Sequence, residues 1–487
     1  MISKFTGSNY TRMDNNLLKA YDPDLFRDNG HKLVDLLADY MHDCQNNPAF
    51  PVLPWKDPAD QEKYWKDFFY SDKSPDLAGF YSDFLEKSIH IHHPRYAGHQ
   101  VVPPVPLAAL TAMLEAFTNN GMAIYEMGPA ATAMEKVIID WLNGIIGWDQ
   151  HANGLMTSGG SIGNLTALLT ARQAFAGRDS WEDGIHDQMA VLVSTEAHYS
   201  VERAVKIMGM GEKGLVKVPV DEQYRIKTSL LPGILEDCRS KGIQIFALIG
   251  NACSTSTGKY DDLDALGDFC RDNHIWFHVD AAHGGPALFS EKYRHLLAGL
   301  EKANSIVIDF HKMMLTPALT TAVLFRNGNT SYEAFAQKAQ YLLGKKGNIN
   351  WWDGAGRTLE CTKKPMAVKV YLLIKTFGAD LFEAYIEHTY GLAKEFAEMI
   401  LSRPGFELAV MPDSNIVCFR FISEDSDPVA LNALNEDIRK NLKESGRFYI
   451  VQTRIDGKVF LRVSLMNPFT KPEDLSDLLA EIEAMIA

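Results

Sequence analysis

Hydrophobic positions keep a helical period over residues 1–90, give way to short apolar runs between helical stretches over about 107–330, and crowd into closely set strands after 380. In the first region Asp22-Pro23-Asp24 offers a cap with proline at the first helical position, and Leu25, Leu33, Leu36, Leu37 and Tyr40 recur at helical spacing. Trp55, Tyr64, Trp65, Phe68, Phe69 and Tyr70 make the next stretch too apolar for a free surface, so it needs the main domain or a second subunit to pack on. Pro94, Pro103, Pro104 and Pro106 then break the chain into a loop at a domain boundary. The runs 189–195, 245–249, 276–280, 305–308 and 322–325 alternate with helical patterns, which predicts an α/β fold with a mainly parallel sheet covered on both faces. Runs 406–411, 416–422, 448–455 and 458–465, set between helices around 381–402, 428–443 and 472–486, predict a small α+β domain with an antiparallel sheet. The organisation expected is an N-terminal helical segment (1–95), a large domain (96–379) and a small C-terminal domain (380–487). No internal repeat or low-complexity tract is present.

Composition narrows the classes of function. A chain of 487 residues has room for roughly two to four domains. The net charge of -14 argues against a nucleic-acid partner and for a soluble protein. Cysteines 44, 238, 253, 270, 361 and 418 form no C-x-x-C pair and no metal spacing, so they read as reduced, mostly buried thiols. Met1-Ile2-Ser3-Lys4-Phe5 lacks the apolar core of a signal peptide, and no apolar run approaches membrane-spanning length. A cytoplasmic protein without a membrane partner is expected. His90, His92, His93 and His99 crowd one loop with poor ligand spacing, so no metal site is expected.

Candidate chemistry gathers at predicted strand ends, where open α/β sheets bind ligands. The run Ile275-Trp276-Phe277-His278-Val279 ends on Asp280, and Ser305-Ile306-Val307-Ile308 ends just before Asp309-Phe310-His311-Lys312. A carboxylate and an amine emerging together fit pyridoxal phosphate, which needs a lysine for a Schiff base and an aspartate to keep its ring nitrogen protonated. An ordinary salt bridge at a sheet edge fits as well. Thr157-Ser158-Gly159-Gly160-Ser161-Ile162-Gly163-Asn164 precedes a clear helix, so its small residues leave backbone N–H groups open to a phosphate, although serine and glycine also cap helices that bind nothing. His198 follows the strand ending near Thr195, where a flat imidazole can stack on a pyridine ring and handle protons, or simply be satisfied within a loop.

Taken in order, these features resemble the group II pyridoxal-phosphate-dependent amino-acid decarboxylases, the family of the glutamate, cysteine sulfinate, diaminobutyrate and aromatic amino-acid enzymes. The resemblance includes His93-Pro94-Arg95, Tyr125-Glu126 with Pro129, Ser158-Gly159-Gly160, Ala197-His198 with Ser200-Val201-Glu202-Arg203, His278 to Ala282 with Gly284-Gly285, His311-Lys312-Met313-Met314 and Asn467-Pro468. It implies a fold-type I enzyme with a seven-stranded sheet. It implies that Lys312 carries the cofactor, that Asp280 pairs with the pyridine nitrogen, and that His198 stacks on the ring with Ala282 on the opposite face. Thr255 resembles the threonine near the ring hydroxyl, Ser158, Gly159, Gly160 and Ser161 match the phosphate loop, and His311 precedes the lysine as in the family. Arg462, within Phe460-Leu461-Arg462-Val463, matches an arginine that grips the substrate carboxylate. Such a grip sets which Cα bond stands perpendicular to the cofactor plane, and so favours decarboxylation.

The chain departs from the family at three places. Asp309 stands where asparagine is usual, beside the phosphate, which a carboxylate repels unless turned away or protonated. Residues 343–362 carry Trp351 and Trp352 but no tyrosine, where the family has a mobile loop whose tyrosine protonates the carbanion in the partner's site. An indole N–H is a poor acid, so the tryptophans are expected to close the site while His198 or a water supplies the proton. After His93-Pro94-Arg95 comes Tyr96-Ala97-Gly98-His99, so Tyr96 and His99 are expected at the substrate side chain. The function expected is decarboxylation of an L-amino acid to its amine. The alternatives are oxidative decarboxylation to an aldehyde and, from another class, a catalytically dead scaffold. A homodimer with active sites at the interface is expected, residues 1–90 wrapping the partner and the 343–362 loop acting across it.

Overall fold

The computed structural model describes residues 15–71, 76–176, 180–332, 334–335, 351–423 and 427–486. The start of the chain, including Met1 to Phe5, and the 343–350 part of the loop before Trp351 lie outside them.

The expected α/β architecture is present. Seven strands, β1 (Asn153–Thr157), β2 (Met189–Ser194), β3 (Leu215–Val218), β4 (Gln244–Asn251), β5 (Trp276–Asp280), β6 (Ser305–Asp309) and β7 (Thr321–Phe325), form one sheet in the order β1-β7-β6-β5-β4-β2-β3. β7 runs antiparallel to both of its neighbours, and the pairs from β6 to β3 are parallel. Strands β2, β6 and β7 are buried at every position, as a sheet covered on both faces requires. β1 and β3 went unrecognised in the sequence, the first because Asn-Gly-Leu-Met-Thr lacks β-branched residues until its end, the second because it is a short edge strand.

Register places the chemistry. Asn251 pairs with Asp280 across β4 and β5, while Asp309 pairs with Thr321 across β6 and β7. The ends of β1, β4, β5 and β6 therefore meet the start of β7 at one sheet edge. The helix Gly160–Phe175 lies across this sheet, buried from Gly163 to Arg172. A Cβ at Gly163 would stand 3.1 Å from Val323 Cγ2 and 3.2 Å from Val307 Cγ2, so glycine allows the helix to settle onto β6 and β7. Gly159, at φ 106°, makes the turn that a side chain would strain, and delivers the helix N-terminus to the strand ends.

A second, antiparallel sheet of β8 (Phe406–Leu408), β9 (Ile416–Phe421), β10 (Val451–Ile455) and β11 (Lys458–Ser464), ordered β10-β11-β9-β8, carries its own apolar core with Phe396, Phe419, Leu461 and Leu478. The expected strand at 448–455 begins pairing in this sheet only at Val451, because Tyr449 instead bridges Tyr96. In the N-terminal segment Asp22 caps the helix Pro23–Asn46 by accepting from Asp24 N at 2.8 Å, and Cys44 is that helix's one buried residue. Among the described residues no helix is long and apolar enough to cross a membrane.

Candidate active site

A cavity of about 330 Å³ opens at the strand-end edge. Ser158, Gly159, Gly160, Ser161, His198, Thr255, Asp280, Ala282, His311 and Lys312 all line it. The residues that the sequence singled out as cofactor contacts thus share one cavity, although they span more than 150 positions.

The carboxylate of Asp280 is held by neutral donors. Asn164 Nδ2 donates to Oδ2 at 2.8 Å and the Ala282 N–H donates to Oδ1 at 3.2 Å. Because Asp280 only accepts, the Asn164 amide orientation is fixed, and the rest of the network follows from it. Asn164 Nδ2 also donates to Ser200 Oγ at 2.9 Å, so the Ser200 hydroxyl spends its own hydrogen on His198 Nδ1, 2.8 Å away. The Ser200 backbone N–H reaches the same Nδ1 at 3.3 Å. His198 therefore carries its proton on Nε2. On the other side His278 Nε2 donates to Asn164 Oδ1 at 3.0 Å, while its Nδ1 accepts from Ser305 Oγ at 2.9 Å. Trp276 Nε1 completes the series by donating to Ser305 Oγ at 2.8 Å. Burial pushes His278 down to about 4 and lowers His198 as well, against the pull of Asp280, so both rings are neutral near pH 7.

Asp309 has different company. Its Oδ2 is 2.9 Å from Lys312 Nζ and 3.7 Å from His311 Nε2, and Oδ1 accepts the Thr321 hydroxyl. Burial alone would raise this carboxyl, but the Lys312 and His311 charges more than offset it and hold Asp309 below the usual carboxylate range. Burial would likewise lower the Lys312 amine, yet Asp309 and then Asp280 hold it above its ordinary value.

Further residues line the cavity without having been assigned a role from sequence: Asn164, Ser200, Asn251, Cys253, His283 and Leu319. Asn415 Nδ2 donates to Leu465 O at 3.1 Å, so its Oδ1 takes the Nε2 hydrogen of His283 at 2.7 Å. The buried Nδ1 of His283 is then an acceptor with no hydrogen-bond partner among the described residues, and burial pushes this histidine down to about 3.

The expected substrate residues are not among those lining this cavity within the single chain, although Arg462 touches the lining residue Thr255. Arg462 is buried in β11 and donates through Nη1 to the Thr255 carbonyl at 2.6 Å, while its Nε has no hydrogen-bond partner among the described residues. Tyr96 stacks on Tyr449 with ring centroids 5.6 Å apart, and His99 tilts over the same ring at 5.9 Å. Trp351 and Trp352 line a separate cleft with Glu135, Arg357 and Lys363. The His90 ring nitrogens face the Pro51 and Leu85 carbonyls, and His93 Nδ1 accepts from Arg95 N, so these histidines bind backbone.

The cavity suits pyridoxal phosphate on its own terms. It offers an amine beside two carboxylates, a flat neutral imidazole, and a glycine turn feeding a helix N-terminus. A model of the pyridoxal-dependent decarboxylase conserved domain matches residues 77–422. An aromatic-L-amino-acid decarboxylase of Bacillus atrophaeus is 29% identical over 462 residues, covering 94% of each chain. An L-2,4-diaminobutyrate decarboxylase of Acinetobacter baumannii is 28% identical over 417 residues, covering 82% of this chain and 81% of that one. The crystal structure of mouse CSAD superposes with a TM-score of 0.88 at 25% identity, covering 95% of this chain and 99% of that one.

Proposed function

The chain belongs to the pyridoxal-dependent decarboxylase family, matched from residue 77 to 422, and on that premise we propose that its strand-end cavity converts an L-amino acid to the corresponding amine and carbon dioxide. The observation that carries this is the meeting of Lys312, Asp280 and His198 around one cavity, with Asp280 held by neutral donors alone. Bound pyridoxal phosphate supplies an aldehyde for amine capture and a protonated ring that withdraws electrons from the reacting carbon.

The chain's own residues supply the rest. Lys312 holds the cofactor until a substrate amine replaces it. Asp280 keeps the ring nitrogen protonated, and the Asn164 amide keeps Asp280 aimed. His198 would cover one ring face and Ala282 the other, the backbone N–H groups of 158–161 would receive the phosphate, and Thr255 would stand by the ring hydroxyl. Arg462, hydrogen-bonded to the cavity-lining Thr255, is the guanidinium assigned to the substrate carboxylate, and orienting that group selects the bond to carbon dioxide. Ser200 occupies His198 Nδ1 and leaves Nε2 facing the cavity, so an imidazolium formed there by uptake of a solvent proton would be the acid that returns a proton to the reacting carbon.

Two copies complete the arrangement. The helices Asn15–Ala20, Pro23–Asn46 and Pro106–Thr118 leave Leu18, Phe26, Leu114 and Phe117 exposed, with the Phe26 and Phe117 rings 4.9 Å apart. A second subunit covers this face, and Trp351 and Trp352 then serve the partner's cavity rather than their own. Sedimentation of an active monomer would refute it.

The test is a panel of acidic, basic and aromatic L-amino acids with carbon dioxide, amine, aldehyde and oxygen all quantified. Amine in step with carbon dioxide, abolished by Lys312→Ala, is the expected result. Aldehyde with oxygen consumption as the main outcome would replace this proposal by the oxidative one, which the absence of a tyrosine in 343–362 favours. No product, with no cofactor absorption that Lys312→Ala changes, would leave a scaffold.

A further inference from the structure

Asp309 ends β6 beside the loop that opens the Gly160–Phe175 helix. A Cβ built on Gly160 would lie 3.1 Å from its Oδ1 and 3.2 Å from its Oδ2, so the carboxylate borders the backbone of that loop. On its other side Oδ2 is 2.9 Å from Lys312 Nζ. One buried carboxylate therefore touches both the amine that must attack an aldehyde and the cradle assigned above to a phosphate. With charges fixed as they stand, the two duties conflict. An ammonium has no lone pair for the aldehyde, and an ionised carboxylate repels a phosphate dianion. By itself the pair keeps its proton on Lys312, but a phosphate dianion arriving beside Asp309 would raise that carboxyl, and a single proton transfer across the 2.9 Å contact would then remove both obstacles.

We propose that Asp309 accepts the Lys312 ammonium proton as the cofactor loads, and then offers that proton as a hydrogen bond to the cofactor's phosphate. An N–H bond of the ammonium breaks with its electron pair left on Nζ, and an O–H bond forms on Oδ2. No proton enters from solvent, and no oxidant or reductant takes part. The other titratable groups facing Asp309 are His311, with Nε2 3.7 Å from Oδ2, and His198 and His283, both lowered by burial and so neutral near pH 7. Lys312 is thus the proton source in closest contact. An asparagine at this position would donate to the phosphate equally well, but it could not take the proton from the amine.

The inference rests on assigning residues 158–161 to the phosphate, and the experiment separates the two. The full chain is loaded with pyridoxal phosphate or with pyridoxal, which lacks the phosphate. The infrared difference between loaded and cofactor-free protein is recorded, together with the cofactor release rate from neutral to alkaline pH. Loading wild type with pyridoxal phosphate should produce a protonated-carboxyl C=O band that Asp309→Asn lacks. Release should speed up by about tenfold or more with rising pH, as the shared proton is lost and the phosphate repelled. That alkaline limb should vanish in Asp309→Asn and, without any mutation, in wild type loaded with pyridoxal. Absence of the band, or persistence of the limb in Asp309→Asn or with pyridoxal, overturns the proposal. Equal affinity of wild type for the two cofactors sinks the loop assignment and the proposal with it.

Discussion

The two carboxylates of the cavity end neighbouring strands, β5 and β6, yet they are held in opposite ways. Asp280 is fixed by an amide and a backbone N–H, both neutral, at 2.8 and 3.2 Å. Asp309 already has a cation, the Lys312 ammonium, at 2.9 Å. Neutral donors orient a charge without cancelling it, so Asp280 keeps its full attraction for a positive partner such as a protonated ring nitrogen. A carboxylate paired with an ammonium has spent that attraction, and what it can still exchange is a proton. The difference teaches that position at a strand end makes a carboxylate available to the cavity, while the neighbouring helix and turn decide what it is available for.

The contrast breaks most severely at the lysine. Lys312→Ala removes the amine that the cofactor needs and frees Asp309 of its cation, and activity should fall by at least about 10³-fold, with the lysine-dependent cofactor absorption gone. Next comes the contrast itself: Asp280→Asn should lower kcat on the order of 10²-fold, measured on protein with an unchanged melting temperature, because a preorganised charge is removed from the reacting system. Asp309→Asn should cost distinctly less in kcat, since an amide still donates to a phosphate; equal losses would erase the distinction. Arg462→Gln should raise KM by about tenfold for every amino acid accepted, with a smaller change in kcat, because a charge-assisted contact to the carboxylate is lost. Asn164→Ala sharpens the account at the supporting network. It should lower stability by about 1–3 kcal/mol in denaturant unfolding, by leaving buried acceptors unmet, and lower kcat as Asp280 and His198 lose their fixed aim.

A separate effect concerns pH. Burial pushes His93 and His278 down to about 4 and His283 down to about 3, whereas in the unfolded chain each takes up a proton near its ordinary value of about 6.5. Between those limits the unfolded state binds more protons, so stability should be full at neutral pH and fall as pH drops from about 6.5 towards 4. Melting temperatures across that range check the slope, and His278→Gln should make it shallower. A flat profile would show that these rings take up protons in the folded state as readily as in the unfolded chain.

Much of this was legible in the sequence where burial follows from local composition. β5 was expected at 276–280 and occupies Trp276–Asp280, since a run of aromatic and β-branched residues ending on a carboxylate has few other uses. Asp280, Lys312, His198 and the 158–161 loop were legible as strand-end or loop residues of the right chemistry, while Thr255, Ala282 and His311 came through the family resemblance, and all ten expected cofactor residues share one cavity. What escaped were partners brought together by packing alone. Asn164 meets Asp280 from 116 positions away and His283 meets Asn415 from 132, and no local pattern marks such pairs. Tyr96 and His99 looked like substrate contacts because they follow His93-Pro94-Arg95. Their rings instead lean on Tyr449, whose pairing with Tyr96 joins the segment to the smaller sheet. Trp351 and Trp352 show the same limit, since within the single chain they line a separate cleft with Glu135, Arg357 and Lys363.

Lys312, paired with Asp309 at the strand ends, is the residue assigned to hold pyridoxal phosphate. Borohydride reduction of the cofactor-loaded protein traps the lysine linkage as a stable amine, and peptide mass spectrometry then locates it. One modified peptide is expected, carrying the phosphopyridoxyl group on Lys312. An unmodified Lys312, or the group on any other lysine, would contradict it.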